Sequence, residues 1–307
     1  MKPPGKTLEK LPPGARVLVI RLRSMGDCVL TTPALEILKR HRPDLRVAVV
    51  VEERFAPVFE GNPDVEALLP PEAGRVARWR ARLCLNLHGG PRSAWLTAAS
   101  LARWRAGFAH FRYRLLYNVR IPTAQQILGV NRKVHTAEHI ASAMFYLGAP
   151  RDEVPRARLF AEPPPPAPRP YAVIHPLASS PEKTWPAERF LGIARRLAEE
   201  WGLETVFIAG PGEDLSAFRP HRGLAGAPLG EVKSLLAGAS LFIGNDSGPA
   251  HMAAALGLPV LVIFGDSDPQ VWRPWKTVSE VIVARGSIAA VSEAEVFGAL
   301  LRLRLAA

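Results

Sequence analysis

A single carboxylate lies in a turn that joins a predicted strand to a predicted helix. The turn SMGDCVLTTPAL follows the strand-like run VLVI, and Asp27 comes directly after Gly26 in it. Strand–turn–helix units are the usual frame of nucleotide phosphate sites, but a carboxylate at the helix N-terminus would repel a phosphate. A carboxylate held on such a turn can instead take a proton from an attacking hydroxyl. The alternative is that Asp27 caps its own helix.

The turn GNDSGPAH has the residue types of a phosphate site. Gly248 allows a ligand to approach the backbone, and Pro249 suits the first helical turn, where an amide hydrogen would have no partner. The free amides of that turn favour a diphosphate, with the Ser247 hydroxyl beside them and His251 one turn further on. The alternative is that Asp246 or Ser247 only caps the helix.

Two further turns follow strand-like runs and carry polar groups. HPLASSPEKTW contains Ser179 and Ser180, with Lys183 placed to reach a phosphate as a point charge, unless it is simply solvated. AGPGED supplies Glu213, which could accept hydrogen bonds from ribose or sugar hydroxyls or could be an N-cap. No strand is followed by GxGxxG, no GxxxxGK[ST] occurs, and no His, Cys and acid cluster has zinc-site spacing. The phosphate chemistry is therefore assigned to the C-terminal half, and Asp27 to the reactive end of the ligand.

Apolar runs of strand length alternate with helical patterns along the whole chain, which indicates an α/β fold with parallel sheets. Six of the ten residues in AEPPPPAPRP are proline, and such a run is typical of a stiff linker. We therefore expect an N-terminal domain at 1–162, a linker at 163–170 and a C-terminal domain at 171–307. An alternative is that the last helix packs back on the N-terminal domain.

The excess of positive over negative charge is confined to the first half of the chain. The net charge is +11, and residues 1–165 hold 26 Lys and Arg against 14 Asp and Glu, whereas residues 166–307 hold 13 against 14. Residues 73–137 contain 12 basic residues and no acid. This half should attract an acidic membrane surface, an acidic substrate or nucleic acid, unless it is only an arginine-rich solvated surface. Two cysteines without metal-ligand spacing, and no signal-peptide run, favour a reducing cytoplasm.

Four motifs in this order, RLRSMGDCVLTTPAL, HPLASSPEKTWPAERF, AGPGED and GNDSGPAHMAAALGLPVLVIFG, resemble the family-nine glycosyltransferases, the bacterial heptosyltransferases of the lipopolysaccharide inner core. The resemblance implies the B-type glycosyltransferase fold, two Rossmann-like domains facing across a cleft. It also implies a metal-independent, inverting transfer without a cofactor. In characterised relatives the donor is ADP-heptose, bound by the C-terminal domain, and the acceptor is bound by the N-terminal domain.

The resemblance also implies roles for individual residues. Asp27, in the Met25–Gly26–Asp27 turn on the acceptor side, matches the proposed catalytic base. Lys183 matches the lysine that binds donor phosphate, and Glu213 matches the acid that holds the adenosine ribose. Ser179, with Ser180 beside it, matches the hydroxyl residue near the phosphates. Asp246 matches the aspartate that binds the heptose hydroxyls. The diphosphate and sugar loop is matched by Ser247, Gly248, Pro249 and His251.

The expected partners are a nucleotide sugar and an anionic glycolipid acceptor at the inner membrane surface, with a cytoplasmic location and no transmembrane segment. The expected peripheral position is the cytoplasmic face of that membrane. Two other functions fit parts of the pattern. A nucleotide-sugar epimerase of related fold would convert the donor without an acceptor. A basic nucleic-acid-binding protein would account for the charge of 73–137, but not for the polar turns of the neutral half.

Overall fold

The structure is a computed structural model that describes residues 6–162 and 169–306. It divides into two compact units, Met1–Ala157 and Arg158–Ala307. Most of the predicted linker 163–170 lies outside the described residues.

The first unit contains a parallel sheet of six strands within the described residues. In chain order they are β1 (Arg16–Ile20), β2 (Arg46–Val50), β3 (Ala67–Leu69), β4 (Leu83–Asn86), β5 (Trp104–Phe108) and β6 (Val119–Ile121). Across the sheet the order is β3-β2-β1-β4-β5-β6, with every neighbouring pair parallel. This is the order of a doubly wound nucleotide-binding fold, which places the switch point between β1 and β4.

The described α-helices of this unit are α1 (Met25–Val29), α2 (Thr32–His41), α3 (Ala73–Arg78), α4 (Pro91–Ala99), α5 (Ala124–Leu128) and α6 (Thr136–Leu147). Three of them, α2, α4 and α6, were predicted from the sequence, and three short ones, α1, α3 and α5, were not. The segment ERFAPVFEG, predicted as a short helix, forms a 3-10 helix over Glu53–Val58 that contains a proline. The four residues from Val17 to Ile20 are fully buried, because a parallel sheet of this kind is covered on both faces.

The second unit repeats this architecture. Its described strands are β7 (Tyr171–His175), β8 (Glu204–Ala209), β9 (Arg222–Ala225), β10 (Leu241–Asn245), β11 (Val260–Phe264) and β12 (Ser279–Val283). The order is β12-β11-β10-β7-β8-β9, again parallel throughout, so β7 and β10 flank the switch point. Its described helices are α7 (Ala187–Trp201), α8 (Leu229–Ala237), α9 (Gly248–Leu256), α10 (Pro269–Trp272) and α11 (Glu293–Ala306).

The closing helix belongs to the second unit. It packs on α7, β11 and β12, and its Phe297 and Leu300 lie in the core of that unit beside Phe190. Within the described residues, no helix combines the length and apolar character needed to cross a bilayer.

Candidate active site

The donor-side residues predicted from sequence lie at one edge of the second sheet. They follow the carboxyl ends of β7, β8 and β10, and the carboxyl ends of parallel strands meet at the same edge. The Ser179–Ser180 pair and Lys183 come after β7, Glu213 follows β8, and the loop that starts at Asp246 follows β10.

Asn245, the last residue of β10, clamps the long loop after β7. Its fully buried side chain donates from Nδ2 to the Pro176 carbonyl at 2.8 Å and accepts at Oδ1 from the Trp185 amide at 3.0 Å. The Trp185 indole is also fully buried and donates to the Val291 carbonyl at 2.9 Å. Both ends of the loop that carries Lys183 are thus fixed to the interior of the unit.

Gly265 lets this loop lie against the end of β11. A Cβ at this position would collide with the backbone carbonyl of Glu182, in the 3-10 turn Pro181–Lys183. The close approach leaves Lys183 near enough to Asp246 to influence its titration. Burial raises the pKa of Asp246, and the Ser267 hydroxyl and the Lys183 ammonium partly oppose that shift.

His175 joins three of the donor-side turns. Its Nδ1 lies 3.0 Å from the Ser247 hydroxyl, and its Nε2 lies 3.9 Å from Glu213 Oε2. The second separation is too long for a hydrogen bond, so the attraction there is electrostatic. His175 is the largest influence that lowers the pKa of Glu213, and the Gly210 amide, which donates to the same carboxylate at 2.5 Å, adds to it.

The Ser247 side chain does not cap helix α9, which was the alternative to a role in ligand binding. Ser247 is the N-cap residue of α9, but its side chain makes no capping hydrogen bond and instead meets His175. Gly248 and Pro249 form the first turn of α9, and His251 is buried one turn further on, edge-on to Trp272.

The two serines of the β7 loop stand at its outer side. Ser179 is exposed, and Ser180 precedes the 3-10 turn without a side-chain cap. The Ser180 carbonyl accepts a hydrogen bond from the Thr184 hydroxyl at 2.8 Å, which holds the backbone of the loop.

In the first unit, Asp27 lies at the carboxyl end of β1, in the short helix α1. Ser24 Oγ donates to its Oδ2 at 3.1 Å, and Arg21 Nη1 lies 3.4 Å from its Oδ1. The N-cap residue of α1 is Ser24, whose side chain makes no capping hydrogen bond, and Asp27 is the acidic residue of the first turn. Met25 and Gly26 form the first turn of this helix, with Gly26 buried.

Arg21 is a buried cation beside this carboxylate, and the sequence prediction did not include it. Its side chain is only 7% exposed, and Nε has no hydrogen-bond partner among the described residues. Burial lowers the pKa of Arg21, and the Asp27 carboxylate opposes the shift.

Two histidines with lowered pKa values lie near the same end of the sheet. His88 follows β4, where Asn86 Oδ1 accepts from the His88 and Gly89 amides at 3.0 Å each. Burial, followed by the charge of Arg21, lowers the pKa of His88. His139 stacks on Phe108 at 4.3 Å between ring centroids, and burial lowers its pKa to about 4.

Comparison with known proteins gives this arrangement a family. The model of glycosyltransferase family 9 (heptosyltransferase) matches residues 75–298. The chain belongs to glycosyltransferase family 9. It is therefore a glycosyltransferase, as the motif resemblance implied.

Relatives of this family 9 glycosyltransferase share its length as well as its sequence. Lipopolysaccharide heptosyltransferase 3 of Escherichia coli is 29% identical, with 83% of this chain and 84% of that protein covered. Lipopolysaccharide heptosyltransferase 1 of Pseudomonas aeruginosa is 28% identical, with 83% and 79% covered.

Solved structures confirm the fold. The family 9 glycosyltransferase of Veillonella parvula matches with a TM-score of 0.85 at 23% identity, over 95% of this chain and 98% of that one. The E. coli heptosyltransferase WaaC with ADP matches with a TM-score of 0.78 at 22% identity, over 94% and 99%. The predicted α/β fold of two Rossmann-like domains is thus confirmed.

Replacing Asn245 by alanine is expected to destabilise the second unit. The change leaves the Pro176 carbonyl and the Trp185 amide without their partner in a buried position, which costs about 3 kcal/mol of unfolding free energy. Urea denaturation measures the loss. The matched control is Asn118→Ala, because Asn118 makes the same two kinds of backbone hydrogen bond at an exposed site, where water can replace them. Equal losses in both variants would contradict the clamp.

His139 is expected to make the first unit sensitive to acid. The imidazole titrates near 6.5 in the unfolded chain and at about 4 in the fold, so the unfolded state binds more protons between these values. Stability is therefore retained above pH 6.5 and falls by about 3 kcal/mol as the pH drops to 4. Urea denaturation at several pH values should show a smaller acid loss in His139→Phe than in the wild type. His41→Gln is the control, and an unchanged acid loss in His139→Phe would refute the assignment.

Proposed function

We propose that this chain is an inverting, metal-independent glycosyltransferase that moves heptose from ADP-heptose to a hydroxyl of a lipopolysaccharide-type acceptor. One observation carries the proposal: in a family 9 chain, a lysine, a half-buried aspartate and a helix N-terminus converge at the switch point between β7 and β10. Heptose transfer is supported by the heptosyltransferase relatives, and the donor by the solved structures of WaaC with ADP and with ADP-2-deoxy-2-fluoro heptose.

The second unit would bind the donor along this edge. The diphosphate would accept hydrogen bonds from the free amides at the start of α9 and from Ser247, with Lys183 as a point charge beside it. Glu213, at the rim after β8, would hold the adenosine ribose through its hydroxyls. Asp246 would bind the heptose hydroxyls, and His251 would lie behind the same loop. Ser179 and Ser180 would complete the phosphate contacts.

In the chemical step the first unit would supply the base. The acceptor hydroxyl oxygen bonds to the anomeric carbon on the face opposite ADP, and Asp27 takes the hydroxyl proton. The bond between the anomeric carbon and the diphosphate oxygen breaks, and its electron pair leaves with ADP. Lys183 and the α9 amides stabilise the negative charge that develops there, the role a metal ion performs in other transferases.

The acceptor would be an anionic glycolipid reached from the cytoplasmic face of the inner membrane. The excess of basic residues in 1–165 suits an acceptor with phosphates and acidic sugars. Conversion of the donor without any acceptor would instead identify a nucleotide-sugar epimerase.

Two single variants should separate chemistry from donor binding. Asp27→Asn keeps the shape of the side chain but removes the base, so we expect transfer to fall by about a thousandfold or more with ADP affinity unchanged. Lys183→Ala removes a charge from the donor site, so ADP affinity should fall by about ten- to a hundredfold. Calorimetric titration with ADP and a transfer assay measure both effects, with Arg195→Ala on the solvent side of α7 as the control. Full transfer by Asp27→Asn would overturn its role as base.

His175 should couple the ribose side of the donor site to the diphosphate side. His175→Ala and Glu213→Gln are each expected to weaken ADP binding about fivefold, and the double variant by less than the product, because both break the same contact. Calorimetry on the four proteins of this cycle gives the coupling. Strictly multiplicative losses would show that the two residues act independently.

A further inference from the structure

Four large apolar side chains are exposed together on the first unit. Leu101 and Leu115 are each 82% exposed, Trp95 is 59% exposed and Leu116 is 36% exposed. Trp95 lies on α4 and Leu101 shortly after it, while the other two lie in the 3-10 turn Arg114–Leu116, which contacts α4. Exposed apolar groups that adjoin one another, rather than being scattered, mark an interaction surface.

Side-chain hydrogen bonds to the backbone hold these segments side by side. Arg105 donates to the Leu116 carbonyl at 3.1 Å and to the Ala102 carbonyl at 3.0 Å. Asn118 donates to the Arg103 carbonyl and accepts from the Arg105 amide, both at 2.7 Å. The loop after α4 and the 3-10 turn therefore present their leucines from a fixed framework.

The backbone conformation of Leu101 is unfavourable for a leucine. Its φ of +52° lies in the left-handed region, which glycine and asparagine adopt most readily. A leucine here is unfavourable both for the backbone and for its exposed side chain. Burial of that side chain against a partner would offset these costs.

Exposed cations accompany the apolar side chains. Arg103, Arg112 and Arg114 are exposed, and the described residues include no ion-pair partner for them. Arg103 and Arg112 lie over the neighbouring rings of Trp104 and Tyr113, at 5.5 and 5.8 Å. Since residues 73–137 contain no acid, their positive charge is not neutralised locally in the sequence.

We propose that this surface docks the enzyme on a bilayer of anionic phospholipid. The surface, called here the leucine–arginine face, consists of Trp95, Leu101, Leu115 and Leu116 with Arg103, Arg112 and Arg114. The leucines enter the boundary between headgroups and acyl chains, the tryptophan lies at headgroup level, and the arginines meet lipid phosphates.

The chemistry of the face favours lipid over other occupants. An isologous contact with a second copy would bring the same arginines together across the two-fold axis. Single-stranded nucleic acid binds through phosphates and aromatic stacking, and would not use three exposed leucines. The inference does not depend on the donor or on Asp27, so its failure would leave the proposed transfer reaction untouched.

Vesicle flotation of the full chain tests the proposal. The probes are vesicles of phosphatidylcholine alone and vesicles of phosphatidylcholine mixed with phosphatidylglycerol, at low and high salt. The apolar variant is Leu101→Ser with Leu115→Ser, and the charge variant is Arg112→Gln with Arg114→Gln. The matched control is Leu305→Ser with Arg195→Gln, since Leu305 is 90% exposed in the second unit. Thermal unfolding followed by circular dichroism reports whether each variant remains folded.

We expect the wild type and the control to prefer anionic vesicles, with weaker binding at high salt. The affinity of the apolar variant for vesicles should fall about tenfold or more, although its charge is unchanged. The affinity of the charge variant should fall about fivefold for each arginine, and this variant should lose its preference for anionic lipid. Equal binding by wild type and both surface variants would overturn the proposal. So would the absence of binding to anionic vesicles, a dimer that the same variants disrupt in light scattering, or a preference for nucleic acid that they abolish.

Discussion

The side-chain amide of Asn245 is the interaction on which the donor side of the structure depends. It satisfies a backbone carbonyl at one end of the β7 loop and a backbone amide at the other, both buried. Without it the loop would have two unpaired polar groups in the interior. Their burial would remove a large part of the small free energy of unfolding that a folded protein has. The position of Lys183 relative to Asp246 follows from this clamp and from the space left by Gly265.

The first unit uses an asparagine in the same topological position. Asn86 ends β4, beside β1, as Asn245 ends β10, beside β7. Asn86 accepts from two amides of the turn after it and donates to the Thr97 and Tyr117 hydroxyls. Each switch point is thus shaped by a buried amide, but the chemistry around it differs. In the first unit a buried guanidinium and two histidines lie near a carboxylate, whereas in the second a lysine and the N-terminus of α9 lie near the half-buried carboxylate of Asp246.

The sequence predicted those features that depend on local pattern. Asp27, Lys183 and Ser247 follow long apolar runs, so the strand and the turn after it could both be recognised. The edge strands β6, β9 and β12 were not predicted. The first has only three residues and β9, RGLA, is poor in apolar residues, whereas β12, SEVIV, has the length and composition of a recognisable strand. Interactions between distant residues were also beyond reach. His175 ends a predicted strand, and nothing in its neighbourhood shows that it meets a serine 72 positions away.

Arg21 and His88 illustrate the same limit in the first unit. Arg21 is read as the end of a strand, and its contact with Asp27 depends on the turn between them. His88 belongs to a fifth strand-end turn, NLHGGPRS, that could have been included by applying the rule for β-strand carboxyl ends to β4 as well. Whether Ser247 caps α9 could be decided only from the geometry, since a serine before a helix has the same sequence pattern in both cases.

A crystal structure of the protein with ADP bound tests the central claim most directly, because the claim is that nucleotide and base belong to different units. The diphosphate is predicted at the first turn of α9, within reach of Lys183, with the ribose toward Glu213. A diphosphate bound instead against residues 24–28 would contradict the division between donor site and base.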